Sequence, residues 1–293
     1  MLKEKIEIFA SDLGLIIGFA DYSEYEKLNN SRFKSSRFDY AKSIISIGYP
    51  ISKCDEYNLA SFALDKDYHI IVKEKLRLIK EFILKEVEAN IEFFCDDGPI
   101  DDKLCAYLSG IGHYGKNSLI INKDYGSYIM LGELVLDIDF DYSEKIIIDC
   151  GNCNLCELKC PNSAMDDIYK KCLTGYLQRK DKNSSFEYSL QGKIYGCDIC
   201  QSVCPKNKQI IGNSRYLYGN IDIRDIIRCS KNDFKKYKDT AFYWLGHNLM
   251  KRNAIIFAAN NGIDISEELK YVNSKEEYMM KAINYYNKLG ERL

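Results

Sequence analysis

Cys150-Gly-Asn-Cys153-Asn-Leu-Cys156-Glu-Leu-Lys-Cys160-Pro161 is the stretch whose reading constrains the architecture of this chain most. Its C-x2-C-x2-C-x3-C-P spacing is that of bacterial two-cluster ferredoxins, in which three thiolates wrap one 4Fe-4S cluster and the fourth reaches the other. A second half follows at Cys197, Cys200 and Cys204-Pro205, one ligand short of eight, and Cys172 is the natural eighth. Crossed ligation then assigns Cys150, Cys153, Cys156 and Cys204 to one cluster and Cys160, Cys172, Cys197 and Cys200 to the other. Soft thiolate sulfur suits the iron of a cluster. Zinc is the competing metal, but four-cysteine zinc sites use separated C-x2-C pairs rather than a run ending in Cys-Pro. Cys54, Cys95, Cys105 and Cys229 have no such spacing and read as small buried apolar residues.

Outward from this stretch, residues 150–205 hold eight of the twelve cysteines and two of the four prolines, the mark of a separate module in a chain of 293 residues. Residues 1–145 read as an α/β domain. Ile6 to Leu13 looks helical, Leu15 to Phe19 and Ile44 to Gly48 look like buried strands, and Val72, Leu76, Ile79, Ile83 and Val87 form a helical stripe. Ile91 to Phe94 is a further strand. Ser118 to Asn122 and Ser127 to Leu136 flank Lys123-Asp124-Tyr125-Gly126, a hairpin turn by composition. From Ile221 the pattern is helical, with Ala241 to Asn260 and Glu267 to Leu289 as the main segments. Three regions are therefore expected, at 1–145, 146–212 and 213–293, in an α+β chain. No apolar run approaches the ~18 residues of a membrane span, and the first residues carry neither a secretory nor a twin-arginine signal. The expectation is a cytoplasmic monomer with no membrane partner.

Gly110-Ile-Gly-His-Tyr-Gly115 matches G-x-G-x-x-G, and Lys116 extends it toward a P-loop. Either motif must follow a strand and open a helix, whereas this one follows a helical stretch (Asp101 to Leu108) and opens a hairpin, so nucleotide binding is disfavoured. The density of glycine at positions 110, 112, 115, 126 and 132 would still permit close approach by a flat ligand, or would simply serve turns and bulges. Asp96 stands at the end of the apolar strand and faces this segment. Burial there would raise its pKa and keep it protonated for general-acid work. The competing role is a helix N-cap near Ile100, which Asp97 or Asp101 could serve equally.

Asp96-Asp97-Gly98-Pro99, Gly110-Ile-Gly-His-Tyr-Gly-Lys-Asn117, Gly126-Ser127 and Leu131-Gly132-Glu133, followed by the eight cysteines, resemble the cobalamin-dependent epoxyqueuosine reductases. Asp67-Tyr68-His69, Gly196-Cys197-Asp198-Ile-Cys-Gln201 and Arg252-Asn253-Ala254 match as well. The resemblance implies a nitroreductase-like cobalamin-binding α/β domain, a ferredoxin-like two-cluster module and a short helical C-terminal region. It implies reduction of epoxyqueuosine to queuosine at the tRNA wobble position, with electrons passing from an external flavodoxin- or ferredoxin-type donor through the two 4Fe-4S clusters to base-off cobalamin. Asp96 falls on the proton-donor position, and Ile120, Leu131, Thr174 and Asp198, with Asp96, on cobalamin contacts. The chain departs from the family pattern at Cys172-Leu-Thr-Gly-Tyr-Leu177 and at Lys206.

Charge gives independent support for an RNA partner. From Pro205 to Arg252 eleven Lys or Arg stand against four Asp, in a chain of net charge −2. Such asymmetry is expected of a face that meets a polyanion, and Lys251 with Arg252 is the pair chosen for the tRNA anticodon loop. A solvated helix face is the bland reading of the same charges. The rival functions are another cobalamin and iron-sulfur reductase, dehalogenase-like or corrinoid-reactivating, and a non-enzymatic electron-transfer module.

Overall fold

The computed structural model describes residues 1–29, 36–180, 187–208, 210–273 and 275–290. It divides into two compact units that are discontinuous in sequence: Met1–Lys53, Tyr68–Cys156 and Gln201–Ser214 form the first, and Cys54–Asp67, Glu157–Cys200 and Arg215–Leu293 the second. These units do not follow the three consecutive regions read from the sequence. The first unit takes back residues 201–214 because main-chain groups pair there: Lys53 N–H donates to the Ile210 carbonyl at 3.2 Å, and Ser52 Oγ exchanges hydrogen bonds with both main-chain groups of Gly212.

In the first unit, α1 (Leu2–Asp12), β1 (Ile16–Asp21), α2 (Tyr22–Leu28), β2 (Ser43–Pro50), α3 (Tyr68–Glu86), β3 (Ile91–Phe94), α4 (Asp102–Leu108), β4 (His113–Tyr114), β5 (Ile120–Ile121) and β6 (Ile129–Leu136) follow in order. The main sheet is antiparallel in the order β1-β2-β6-β3. Every residue of β2 is buried, as a central strand covered on both faces requires. Successive residues of β6 point to opposite faces. A Cβ on Gly132 would meet Val72 and Leu76 of α3, while the next residue, Glu133, meets Asp102 of α4, so a helix covers each face. Val72, Leu76, Ile79 and Ile83 bury the inner stripe of α3. Full burial of each contributes roughly 1.5–3 kcal/mol. Val87, the last expected member of the stripe, lies beyond the helix and is exposed.

The expected hairpin after Ser118 forms only at its tip, where Asn122 and Gly126 bridge. Its arms then part: β5 pairs with β4, and β6 enters the main sheet. The apolar run of β6 gains more from the buried sheet than from a two-stranded ribbon.

The second unit is built of α6 (Ile168–Lys171), α7 (Leu173–Leu177), α9 (Ile223–Arg228), α10 (Gly246–Asn260) and α11 (Glu277–Gly290), while the short helices α5 (Leu155–Lys159) and α8 (Ile199–Ser202) carry cluster cysteines. Its core lies where α9 and α11 pack on α10, around Ile226, Ile227, Met250, Ile255 and Met279, all fully buried. No helix among the described residues is long and apolar enough to cross a membrane.

Candidate functional site

Where β3 ends, the chain turns sharply at Asp96, whose φ of +62° is left-handed for a non-glycine residue. Hydrogen bonds fix the turn on both sides. Asp96 N–H donates to Asp102 Oδ2 at 2.7 Å, Asp97 N–H donates to the Cys95 carbonyl at 2.7 Å, and Lys73 Nζ meets Asp97 Oδ2 at 2.6 Å. The Asp96 carboxyl is received by α3: Tyr68 Oη donates to Oδ2 at 2.6 Å, and His69 Nε2 lies 3.5 Å from the same oxygen. The rings of Tyr68 and His69 stack with centroids 4.1 Å apart.

This arrangement corrects the expectation that burial raises the pKa of Asp96. The side chain is 62% exposed, and hydrogen bonding from His69, aided by Tyr68, holds its carboxyl below the usual range. The raised carboxyls are its neighbours: burial lifts Asp102 to about 6 and pushes Glu133 well above the ordinary range. The cap of α4 is Asp101, which accepts from Leu104 N–H at 3.0 Å, so capping does not occupy Asp96. Tyr68, His69, Asp102 and Glu133 were not singled out as site residues from the sequence. Glu133 did leave a signal, being a carboxyl inside the apolar run Ile129 to Leu136.

The glycine-rich segment lies between α4 and β4, the wrong context for a nucleotide fold, as the sequence implied. Its glycines are filled by the chain itself. A Cβ on Gly112 would sit 2.5 Å from the Ile121 carbonyl oxygen, and one on Gly132 would sit 2.6 Å from Val72 Cγ1. Close packing against neighbouring backbone and side chains therefore accounts for these two glycines. Ile120 packs in a small core with Ala106, Ile111 and Ile129, while Leu131 is only half-buried against it. Lys116 donates to the Gly151 and Cys153 carbonyls at 2.8 and 2.9 Å, fastening the first cysteine loop.

The eight cysteines fall into two quartets. Cys150, Cys153, Cys156 and Cys204 all belong to the first unit, and Cys160, Cys172, Cys197 and Cys200 all to the second. Cys150 and Cys153 act electrostatically on the Cys204 thiol, and Cys172 and Cys160 on that of Cys197. Burial pushes the Cys197 thiol up to about 12, so binding of iron there would have to displace its proton. Among the described residues no three His, Cys, Asp or Glu converge tightly enough to hold a single metal ion. Asn207, fully buried two residues after Pro205, joins the Cys204 loop to the β6 approach: its Oδ1 accepts Ser127 N–H at 2.8 Å and its Nδ2 donates to Ser127 Oγ at 2.8 Å.

In the second unit, Thr174 Oγ1 donates to the Cys197 carbonyl at 3.3 Å, and buried Asp198 accepts from both N–H and Oγ of Ser61 at 2.9 and 2.8 Å. Both residues thus brace the second cysteine quartet. Lys251 and Arg252 require a correction. They are the two buried members of the eleven basic residues, nine being exposed. Arg252 is fully buried: its guanidinium donates to the carbonyls of Leu177 and Arg179 at 3.0 and 3.1 Å and to Asn253 Oδ1 at 2.8 Å, and it lies over the Tyr176 ring. Three of its five donors are engaged within the chain, and full burial keeps the guanidinium from phosphate. Lys251 Nζ points to the Tyr271 carbonyl.

Residues 149–207 match the family model described as a 4Fe-4S double cluster binding domain. A redox protein with two iron-sulfur clusters and an adjoining α+β unit is the class these features define. Epoxyqueuosine reductase of Lactococcus garvieae is 31% identical, the match covering 97% of this chain and 95% of that protein. Two solved structures are each 26% identical over 90% of their length. One is an epoxyqueuosine reductase with an epoxyqueuosine-modified tRNA-Tyr stem loop, covering 99% of this chain at a TM-score of 0.85. The other is the Bacillus subtilis enzyme with its catalytic aspartate loop swung out of the active site, covering 98% at 0.82. The chain belongs to the epoxyqueuosine reductase family.

Proposed function

We propose that this chain reduces the epoxide of epoxyqueuosine to the alkene of queuosine at the wobble position of tRNA. The observation that carries the reading is that one chain of this family carries both two cysteine quartets and a hydrogen-bonded Tyr68-His69-Asp96 group at a strand end. Epoxide, two electrons and two protons give alkene and water, so the site must bring reducing equivalents and acid to one carbon–oxygen bond. Cys150, Cys153, Cys156 and Cys204 would hold one 4Fe-4S cluster, and Cys160, Cys172, Cys197 and Cys200 the other.

For cobalamin, the half-buried apolar side chain of Leu131 and the exposed Asp96 carboxyl fit a flat apolar macrocycle that needs an acid at its edge. Those two residues would hold it, with Ile120 contributing main chain. Thr174 and Asp198 act through the cluster loop they brace. When bound, cobalamin supplies reduction of the carbon–oxygen bond, and the clusters supply the electrons. The protein's own chemistry is proton handling. Asp96, ionised at rest, takes a proton from His69 on Oδ2 and passes it to the departing oxygen, while Tyr68 holds the carboxyl in place.

Residues 1–145 are read as the nitroreductase-like domain, and the 146–212 and 213–293 regions as the cluster module and the tRNA-contacting region of a cytoplasmic monomer fed by a flavodoxin- or ferredoxin-type donor. The exposed Lys231, Lys235 and Lys238 replace Lys251 and Arg252 as the proposed contacts to the anticodon loop. The decisive experiment is single-turnover reaction of anaerobically prereduced holoenzyme with an epoxyqueuosine-containing stem-loop, followed by nucleoside analysis. Queuosine is the expected product, and unchanged epoxyqueuosine would overturn the proposal.

A further inference from the structure

Glu133 stands in the middle of β6, opposite Ser46 of β2 and Phe94 of β3, and is fully buried. Neither carboxyl oxygen meets a hydrogen-bond donor among the described residues, and the group it faces is a second carboxyl, that of Asp102 in the first turn of α4. A fully buried carboxylate does not stay ionised against a second, half-buried one, which favours a single proton for the pair. The surroundings reinforce this. Asp96 and Asp101 add negative charge, the thiols of Cys95 and Cys105 beside the pair are held protonated by burial, and the nearby cation, Lys73, is engaged by Asp97. Glu133 is therefore the acid of the pair and Asp102 the acceptor at neutral pH. The Oδ2 of Asp102 in turn accepts the main-chain N–H of Asp96, the residue held at φ +62°.

We propose that Glu133 and Asp102 hold one proton between them and act as the positioning pair for Asp96, locking its left-handed turn. The inference rests on the reading of Asp96 as the proton donor of epoxide reduction. An ionised acceptor binds the Asp96 amide about twice as strongly as a neutral one. As pH falls through about 6, Asp102 takes up a second proton, the bond to Asp96 N–H loses its charge, and the turn loosens. The Asp96 carboxyl then leaves its reactive place although it keeps its own chemistry.

Two measurements on the holoenzyme test the pair. Infrared spectroscopy at neutral pH should reveal the carbonyl stretch of a buried protonated carboxyl in wild type and its loss in Glu133→Gln. Single-turnover reduction of an epoxyqueuosine stem-loop, followed over about pH 5 to 8, should fall on the acid side with an apparent pKa near 6. Glu133→Gln, which can donate to Asp102 but cannot exchange a proton with it, should shift the apparent pKa of the acid limb. Asp102→Asn cannot take up the second proton, so it should lose the limb and slow at neutral pH by about tenfold, the worth of one charge-assisted hydrogen bond. A merely structural Asp102 would alter stability but leave the limb in place, and that result overturns the proposal, as does an infrared band that survives Glu133→Gln. If wild type fails to reduce the stem-loop, the function falls, and the infrared comparison still decides whether the pair shares a proton.

Discussion

Asp96 is pulled in two directions: its exposure leaves it near ordinary carboxylate behaviour, while the donors on α3 favour its ionised form and win. Its depressed pKa adds stability above the unfolded value and loses it as pH falls through the folded one, but exposure screens this contribution to little. Replacing His69 by Ala should move the Asp96 carboxyl titration upward, measured by NMR on the labelled protein. An unmoved titration would place the control elsewhere. Asp96→Asn should keep clusters and cobalamin yet lose roughly 10²- to 10⁴-fold in single-turnover rate, since an amide cannot give up a proton. A rate within a few-fold of wild type would remove Asp96 as the acid. The strand-end position of Asp96 was legible because a short apolar run before Gly-Pro is a local pattern. Its protonation was not, because the donors that shift it, His69 first and then Tyr68, stand on another element.

Among elements, α10 carries a similar lesson. Its apolar spacing announces a buried helix, but charge alone made Lys251 and Arg252 look like an outer face. What decides the matter is a set of carbonyls about 75 residues away, at the end of α7, whose N-cap is Cys172. Arg252 thereby couples the C-terminal helices to the helix that begins at Cys172. Arg252→Ala should cost about 3 kcal/mol, because it strands buried carbonyls that a charged donor now satisfies. Chemical unfolding would measure this, and Arg252→Lys should rescue only part, lacking the planar fork. A loss under 1 kcal/mol would contradict the burial argument. The double-cluster module, matched at residues 149–207, needed no such distant information, since wrapping a cluster is local chemistry. Cys204→Ser should accordingly damage the cluster held by Cys150, Cys153 and Cys156, seen by iron content and EPR. Damage confined to the other cluster would reverse the assignment.

Over the whole molecule, a net charge of −2 conceals a basic segment whose members have different fates. Lys236 is paired with Asp225, and Arg228 with Glu268, while Lys251 and Arg252 are internal. Lys231, Lys235 and Lys238 are exposed together on residues 231–238, around the buried Phe234 that anchors the segment. A polyanion held by such lysines releases counterions as it binds, and the affinity then falls linearly on a logarithmic salt scale. Each phosphate contact contributes about 0.7 to 0.9 to that slope, so Ala at all three positions should flatten it by roughly two. Lys236→Ala should do less, because its ammonium already has a carboxylate partner. Arg252→Ala, measured on the folded fraction, should leave the slope untouched. An anticodon stem-loop titrated by fluorescence anisotropy across a salt series separates these cases. If the triple variant keeps the wild-type slope, the RNA is held by some other face, and the charge asymmetry of this chain is only that of a solvated surface.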